Sequence, residues 1–163
     1  MRKVILCEYE KCTGCQICEL VCSIIKENEI NPALSRIHLT GFDPSVMMSF
    51  GCQFCEKPSC VNSCPRRALR VTEKGIIEIN SDRCTLCGWC IQPASCPFGA
   101  IAIFRSSITV CDLCDGKPKC VEYCPTDALH FATRNEMAGH IRRDAVRRRA
   151  LAGNEVVRCL QHF

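Results

Sequence analysis

The chain of 163 residues is poor in aromatics, with 7 Phe, 2 Tyr and 1 Trp. Its 47% hydrophobic content counts 18 cysteines, and without them falls to about 36%. That is little ordinary core for an enzyme domain of this length, so something bound to the cysteines must supply the rest. No stretch approaches the roughly 18 apolar residues of a transmembrane helix. Met1–Glu8 starts basic but has no apolar leader segment, and there is no twin-arginine signal. The expectation is a cytoplasmic chain with no membrane span. A glycine-rich phosphate loop, a nicotinamide fingerprint and a nucleophile–base constellation are also missing. No residue is therefore assigned a catalytic role. His38, His130, His140 and His162 are scattered and read as surface or packing side chains rather than ligands.

What is abundant is cysteine, at about 11% of the chain. A reducing compartment argues against disulfides, and short regular spacings then mean metal. Sixteen of the cysteines fall into four quartets: Cys12, Cys15, Cys18, Cys22; Cys52, Cys55, Cys60, Cys64; Cys84, Cys87, Cys90, Cys96; and Cys111, Cys114, Cys120, Cys124. Each opens with C-x2-C, and the first is the C-x2-C-x2-C-x3-C run of bacterial ferredoxins. Three closely spaced thiolates wrap one iron–sulphur cubane. The fourth cannot reach the same cube without strain and faces a second one. A zinc ribbon would separate its two C-x2-C pairs by a dozen or more residues. Here the third and fourth cysteines come too soon for that.

The pattern C-P-x-x-A-[IL] occurs three times, beginning at Cys64-Pro65, Cys96-Pro97 and Cys124-Pro125. Proline turns the chain away from the cluster. The alanine permits close approach, and the Ile or Leu begins a strand or covers the cubane. The first quartet has Ser23 in place of that proline. Cys15 to Lys26 reads as a helix with Cys18 and Cys22 on one face, bridging two clusters. Strands are expected at Val4–Leu6, Ala100–Phe104 and Leu129–Ala132. A hairpin through Gly75 should join Leu69–Val71 to Ile76–Ile79. Residues 28–51, with Pro32, Gly41, Pro44 and Gly51, read as a long loop or small insertion. Trp89 and Phe54 read as packing over clusters rather than as electron-relay aromatics. Cys7 reads as a small buried hydrophobe, and neither it nor Cys159 is assigned as a ligand.

These motifs, with Pro32–Ile37 and Cys111-Asp112-Leu113-Cys114, resemble the four-cluster ferredoxin-like subunits of molybdenum and tungsten oxidoreductases, formate dehydrogenases and hydrogenases. The resemblance covers roughly residues 1–131. It implies an α+β fold of two nested ferredoxin-like units with short strands and helices. Residues 1–40 and 105–132 would form the outer unit, 41–104 the inner unit, and 133–163 a basic helical tail. Carried over by position, the fourth ligands are exchanged between clusters. The outer clusters take Cys12, Cys15, Cys18 with Cys124, and Cys111, Cys114, Cys120 with Cys22. The inner ones take Cys52, Cys55, Cys60 with Cys96, and Cys84, Cys87, Cys90 with Cys64. Some relatives lose one ligand and hold a three-iron cluster. With all sixteen present, four [4Fe–4S] clusters are implied. So is a non-catalytic relay of single electrons between a large catalytic redox subunit and a second redox subunit, flavin or other acceptor. Short length and no anchor make the small polyferredoxin subunit of tungsten-dependent aldehyde oxidoreductases the nearest likeness, with hydrogenase and formate-lyase iron–sulphur subunits next. The alternative is a free soluble polyferredoxin that diffuses.

The formal charge is +4, but residues 1–130 hold 14 basic and 14 acidic residues, so the tail carries the whole excess. Each oxidised cluster with four thiolates adds about −2, which makes the loaded protein about −4. The tail has seven arginines against Glu136, Asp144 and Glu155. Thr133 with Glu136 forms a capping box, and Met137, Ala138, Ile141 and Ala145 line one face of the helix that follows. Gly153-Asn154 should end it, with one further turn at Val156, Val157 and Leu160. The arm reads as a dock for a partner subunit or a second copy, against the alternative of a solvated cap on the core. Arg147-Arg148-Arg149 without interleaved aromatics argues against nucleic acid.

Overall fold

The computed structural model describes residues 2–43 and 46–160. Small paired strands and short helices frame the cysteine loops. In chain order they are β1 (Val4–Cys7), α1 (Ile17–Glu27), β2 (Ile37–Asp43), β3 (Val46–Gly51), α2 (Ser59–Asn62), β4 (Leu69–Val71), β5 (Ile77–Ile79), β6 (Ile101–Phe104), β7 (Ser107–Val110), α3 (Lys119–Glu122), β8 (Leu129–Ala132) and α4 (Arg134–Leu160). Among the described residues the strands form four two-stranded antiparallel sheets: β1–β8, β2–β3, β4–β5 and β6–β7.

The β1–β8 sheet closes the chain on itself, pairing Val4 with Ala132 and Cys7 with Leu129. Glu8 N–H continues the ladder to Ala128 O at 2.8 Å. The three C-P-x-x-A-[IL] motifs work alike. Ala68, Ala100 and Ala128 are almost fully buried, and Leu69, Ile101 and Leu129 each open a strand. The apolar core interleaves Val4, Ile5, Ile37, Ile77 and Val110 with Cys18, Cys52, Cys60, Cys90, Cys111 and Cys120.

On α1, Glu19 is buried yet satisfied, its Oε1 accepting from Leu39 N–H at 2.9 Å. Ser23 is fully buried; its Oγ donates to Leu20 O at 2.9 Å and accepts from Asn31 N–H at 3.2 Å. That pair of bonds is why serine follows Cys22 in a helix that proline would break.

Residues 28–51 are not a loop. A 3₁₀ turn at Pro32–Leu34 leads into the β2–β3 hairpin, with Ile37 facing Gly51 and Thr40 facing Met48. Gly41 lies near the hairpin's turn end, where the register shifts, and a glycine there interrupts nothing. Pro44 lies outside the described residues. The expected unit boundary at 40/41 falls inside β2, and a continuous strand cannot belong to two units. The hairpin packs on α1 and β1 and goes with them. The boundary at 104/105 likewise falls in the tight turn between β6 and β7.

The capping box of α4 is formed. Glu136 N–H donates to Thr133 Oγ1 at 3.2 Å, and Thr133 N–H to Glu136 Oε2 at 2.7 Å. The helix does not stop at Gly153-Asn154 but runs to Leu160. An interior glycine costs only about 1 kcal/mol, which the surrounding alanines and leucines offset. The expected apolar face is only partly used, because Met137 is buried while Ile141 is exposed. Polar side chains hold the helix instead: Asp144 pairs with Lys11 at 3.7 Å, and Arg148 with Glu10.

Candidate metal centres

Every C-x2-C loop bends in the same way. Its second intervening residue, Gly14, Phe54, Leu86 or Leu113, has φ between 46° and 70°. The residue immediately before each motif alanine, Arg67, Gly99 or Asp127, lies at 50°, 57° and 51°. A side chain in this left-handed region costs about 1–2 kcal/mol. Strain repeated at equivalent positions needs a common cause. Such turns aim successive backbone N–H groups into one concavity, which suits an anionic guest. The Phe54 and Leu113 N–H groups favour the ionised sulphurs of Cys52 and Cys111. Ala68 N–H reaches Cys64 Sγ at 3.2 Å and Ala100 N–H reaches Cys96 Sγ at 3.3 Å. Cys22, with no proline turn, takes Arg36 N–H at 3.3 Å instead.

The cysteines gather across quartets rather than within them. Cys12, Cys15, Cys18 and Cys124 line one cavity. Cys22, Cys111, Cys114 and Cys120 line a second, and Cys64, Cys84, Cys87 and Cys90 a third. The three are alike in size, about 300, 330 and 320 Å³ with the open space at their mouths included. Cys52, Cys55, Cys60 and Cys96 form the fourth set, close enough for each to act on the ionisation of Cys52. A single tetrahedral zinc ion needs sulphurs roughly 3.8 Å apart, from Zn–S bonds of about 2.3 Å. Among the described residues no three cysteine sulphurs lie within 4.8 Å of one another. The sets are too wide for one ion and suit a larger cluster.

Electrostatics divides the thiols. Burial pushes Cys52 and Cys111 up to about 12, against one backbone N–H each, and Cys90 up to about 11. Such thiols ionise only when a metal takes the proton's place. Burial also opposes ionisation of Cys64 and Cys124, but converging N–H groups outweigh it and hold both below the usual thiol range. Cys15, Cys55 and Cys87 are exposed, whereas no cysteine of the Cys22–Cys111–Cys114–Cys120 set is.

The sets follow one another in space. Cys18 and Cys22 on α1 join the first cavity to the second. Cys111 lies within the field of Cys52, joining the second to the Cys52 set. Cys60 on α2 and Cys64 just after it join that set to the last cavity.

The profile of the 4Fe-4S dicluster domain family matches residues 45–134. The chain belongs to this family. Its cofactors are [4Fe–4S] clusters. The chain is 39% identical over 135 residues to the polyferredoxin-like subunit of an aliphatic sulfonate oxidoreductase from Pyrococcus furiosus, covering 80% of this chain and 78% of that one. It is 31% identical to the thiosulfate reductase electron transfer subunit PhsB of Salmonella typhi, covering 82% and 77%. Among solved structures it is similar to a chain of the active site complex BamBC of benzoyl coenzyme A reductase, at 29% identity, TM-score 0.46, and 78% and 75% coverage.

Three side-chain expectations change. Phe54 is buried, but Trp89 is 59% exposed and only edges the cavity of Cys64, Cys84, Cys87 and Cys90. Cys7 is half-buried beside Cys12 and Cys18, and burial pushes its thiol up to about 12. His130 and His140 are not scattered: their rings lie 5.0 Å apart, both beside Glu8. No local spacing announced this, because β1, β8 and α4 meet only in the folded chain. His162 and the side chain of Cys159 lie outside the described residues. Among the described residues, no helix is long and apolar enough to cross a membrane.

Proposed function

We propose that this chain is the electron-relay subunit of an oxidoreductase complex, carrying four [4Fe–4S] clusters. The ligand sets are Cys12, Cys15, Cys18 and Cys124; Cys22, Cys111, Cys114 and Cys120; Cys52, Cys55, Cys60 and Cys96; and Cys64, Cys84, Cys87 and Cys90. The observation that carries the reading is their order: four cysteine sets in an unbroken series, with exposed Cys15 at one end and exposed Cys87 at the other. Bound clusters supply reversible one-electron storage. The protein ligates them, turns backbone N–H groups onto sulphur and, around Cys111 and Cys120, excludes water, and these contacts tune the potentials.

A large catalytic subunit docks at one end and a second redox subunit or carrier at the other. An aldehyde is not assigned as the partner's substrate. The relative from Pyrococcus furiosus is named for an aliphatic sulfonate, and a relay passes electrons without touching substrate. The nested organisation is proposed with adjusted bounds, residues 52–110 inside and residues 2–51 with 111–132 outside, so that neither hairpin is divided. The exposed Ile141 and Val146 among arginines of α4 favour a bound subunit over a diffusing carrier. Co-purification with a large redox protein, weakened by truncation at Thr133, is the expected result.

The decisive experiment is anaerobic assembly followed by iron and sulphide analysis, expecting about 16 of each per chain. Cys55→Ala should remove or convert one inner cluster and slow end-to-end transfer at least tenfold. Unchanged transfer with that cluster missing would sink the relay.

A further inference from the structure

Away from the cysteines, one buried carboxylate collects more donors than a simple ion pair needs. Glu8, just past β1, is only 7% exposed. Its Oε2 lies 2.9 Å from Lys11 Nζ, 3.2 Å from His130 Nε2 on β8 and 3.8 Å from His140 Nδ1 on α4. The carboxylate oxygen and the two ring nitrogens all lie within 4.8 Å of one another. His140 Nδ1 is sealed from solvent and has no hydrogen-bond partner among the described residues. A buried polar atom left unpaired costs about 1–3 kcal/mol, so this nitrogen is held for something.

We infer that Glu8, His130 and His140 form a site for a divalent transition ion of the zinc class, separate from the iron–sulphur centres. Bonds of about 2.0–2.2 Å to nitrogen and oxygen in a tetrahedron place donors roughly 3.3 Å apart. The distances of 3.2 and 3.8 Å from the carboxylate oxygen lie within a few tenths of an ångström of this, and the two ring nitrogens, within 4.8 Å of each other, close on the ion by side-chain rotation. Two imidazoles and a carboxylate suit zinc better than calcium or magnesium. Burial opposes ionisation of Glu8, but Lys11, His130 and His140 outweigh it and keep the carboxyl below its usual range, ready to ligate. Lys11 is the built-in competitor. Its ammonium, on a side chain about a third exposed, neutralises Glu8 without metal and swings to solvent when the ion enters. The fourth position goes to water. Because the ligands come from β1, β8 and α4, the ion staples the basic arm to the sheet that closes the chain.

The test uses the full-length, cluster-loaded protein, so that the cysteines are occupied. After a brief chelator wash and dialysis against Zn2+, zinc and iron are counted by plasma mass spectrometry. Wild type should retain one zinc per chain. His140→Ala, at a partly exposed position of the arm, and Glu8→Gln should each bind at least tenfold more weakly with iron unchanged. Lys11→Met should bind several-fold more tightly. Zinc should also slow tryptic cutting at Arg142 and Arg143 in wild type and leave His140→Ala unaffected. Less than a tenth of an equivalent in wild type, or equal zinc in wild type and both ligand variants, overturns the site.

Discussion

Residues 52–110 and the elements around them, 2–51 with 111–132, use one cysteine pattern but are held together differently. The surrounding elements own an 11-residue helix, the seven- and six-residue strands of β2–β3, and the sheet that joins the two ends of the fold. Asp112 adds a tie, reaching Lys26 at 2.6 Å and Arg36 at 2.9 Å, while Arg36 also pairs with Glu27. The inner stretch has three-residue strands in β4–β5 and a four-residue α2. Hairpins this short are not stable alone. The same ligand pattern therefore serves two purposes: outside it fills a frame that other contacts also hold, and inside it is most of the frame.

Removing the metal is the severest way to break that comparison. After iron chelation, amides of residues 60–99 should lose at least 100-fold in hydrogen-exchange protection, while α1 and the β1–β8 pairs keep more of theirs. Equal loss in both regions would show that the outer frame also depends wholly on its clusters.

A smaller effect follows from the left-handed turns. Gly14 has φ +70° with Met47 3.0 Å from where a Cβ would sit, whereas Leu86 holds the equivalent inner position at 55°. Gly14→Ala should destabilise by about 1–3 kcal/mol. Leu86→Gly should be neutral or stabilise by up to ~1 kcal/mol, since relieved strain competes with chain entropy. Anaerobic thermal bleaching near ~400 nm reads both, and the same sign for the two variants would refute the shared-turn argument.

The smallest effect concerns the tie itself. Burial opposes ionisation of Asp112, but Lys26, Cys114 N–H and Arg36 hold its carboxyl below the usual range. A depressed carboxyl adds stability that is present above its unfolded pKa and lost as pH falls through the folded one. Asp112→Asn should therefore cost on the order of 1 kcal/mol near neutrality, screened because the side chain is a third exposed. The gap from wild type should close as pH drops below about 4. A gap independent of pH would mean that the asparagine disturbs packing rather than charge.

Much of this was legible beforehand. Leu69–Val71, the helix after Cys15 and the Thr133–Glu136 box rest on contacts between near neighbours, which local pattern records, and the apolar run of Val4–Leu6 marked a strand without naming its distant partner β8. The β2–β3 hairpin was hidden because Gly41 and Pro44 read as loop signals although Gly41 sits near the turn end. Trp89 looked like cluster packing, but nothing in a sequence says which face of a loop the core covers. Glu8, His130 and His140 carried no signal, being more than a hundred residues apart at the extremes.

The amino-acid sequence alone determined the kind of guest, because cubane ligation is read from thiols a few residues apart and the chain cannot vary that spacing without losing reach. It also determined where the charge lies and where the repeated turns begin. Only the tertiary structure brings Cys124 to the cavity lined by Cys12, Cys15 and Cys18, since these ends of the chain meet only when β1 pairs with β8. The same closure lays α4 against β1 and brings two histidines to one carboxylate, a meeting made by long-range pairing that no local spacing encodes.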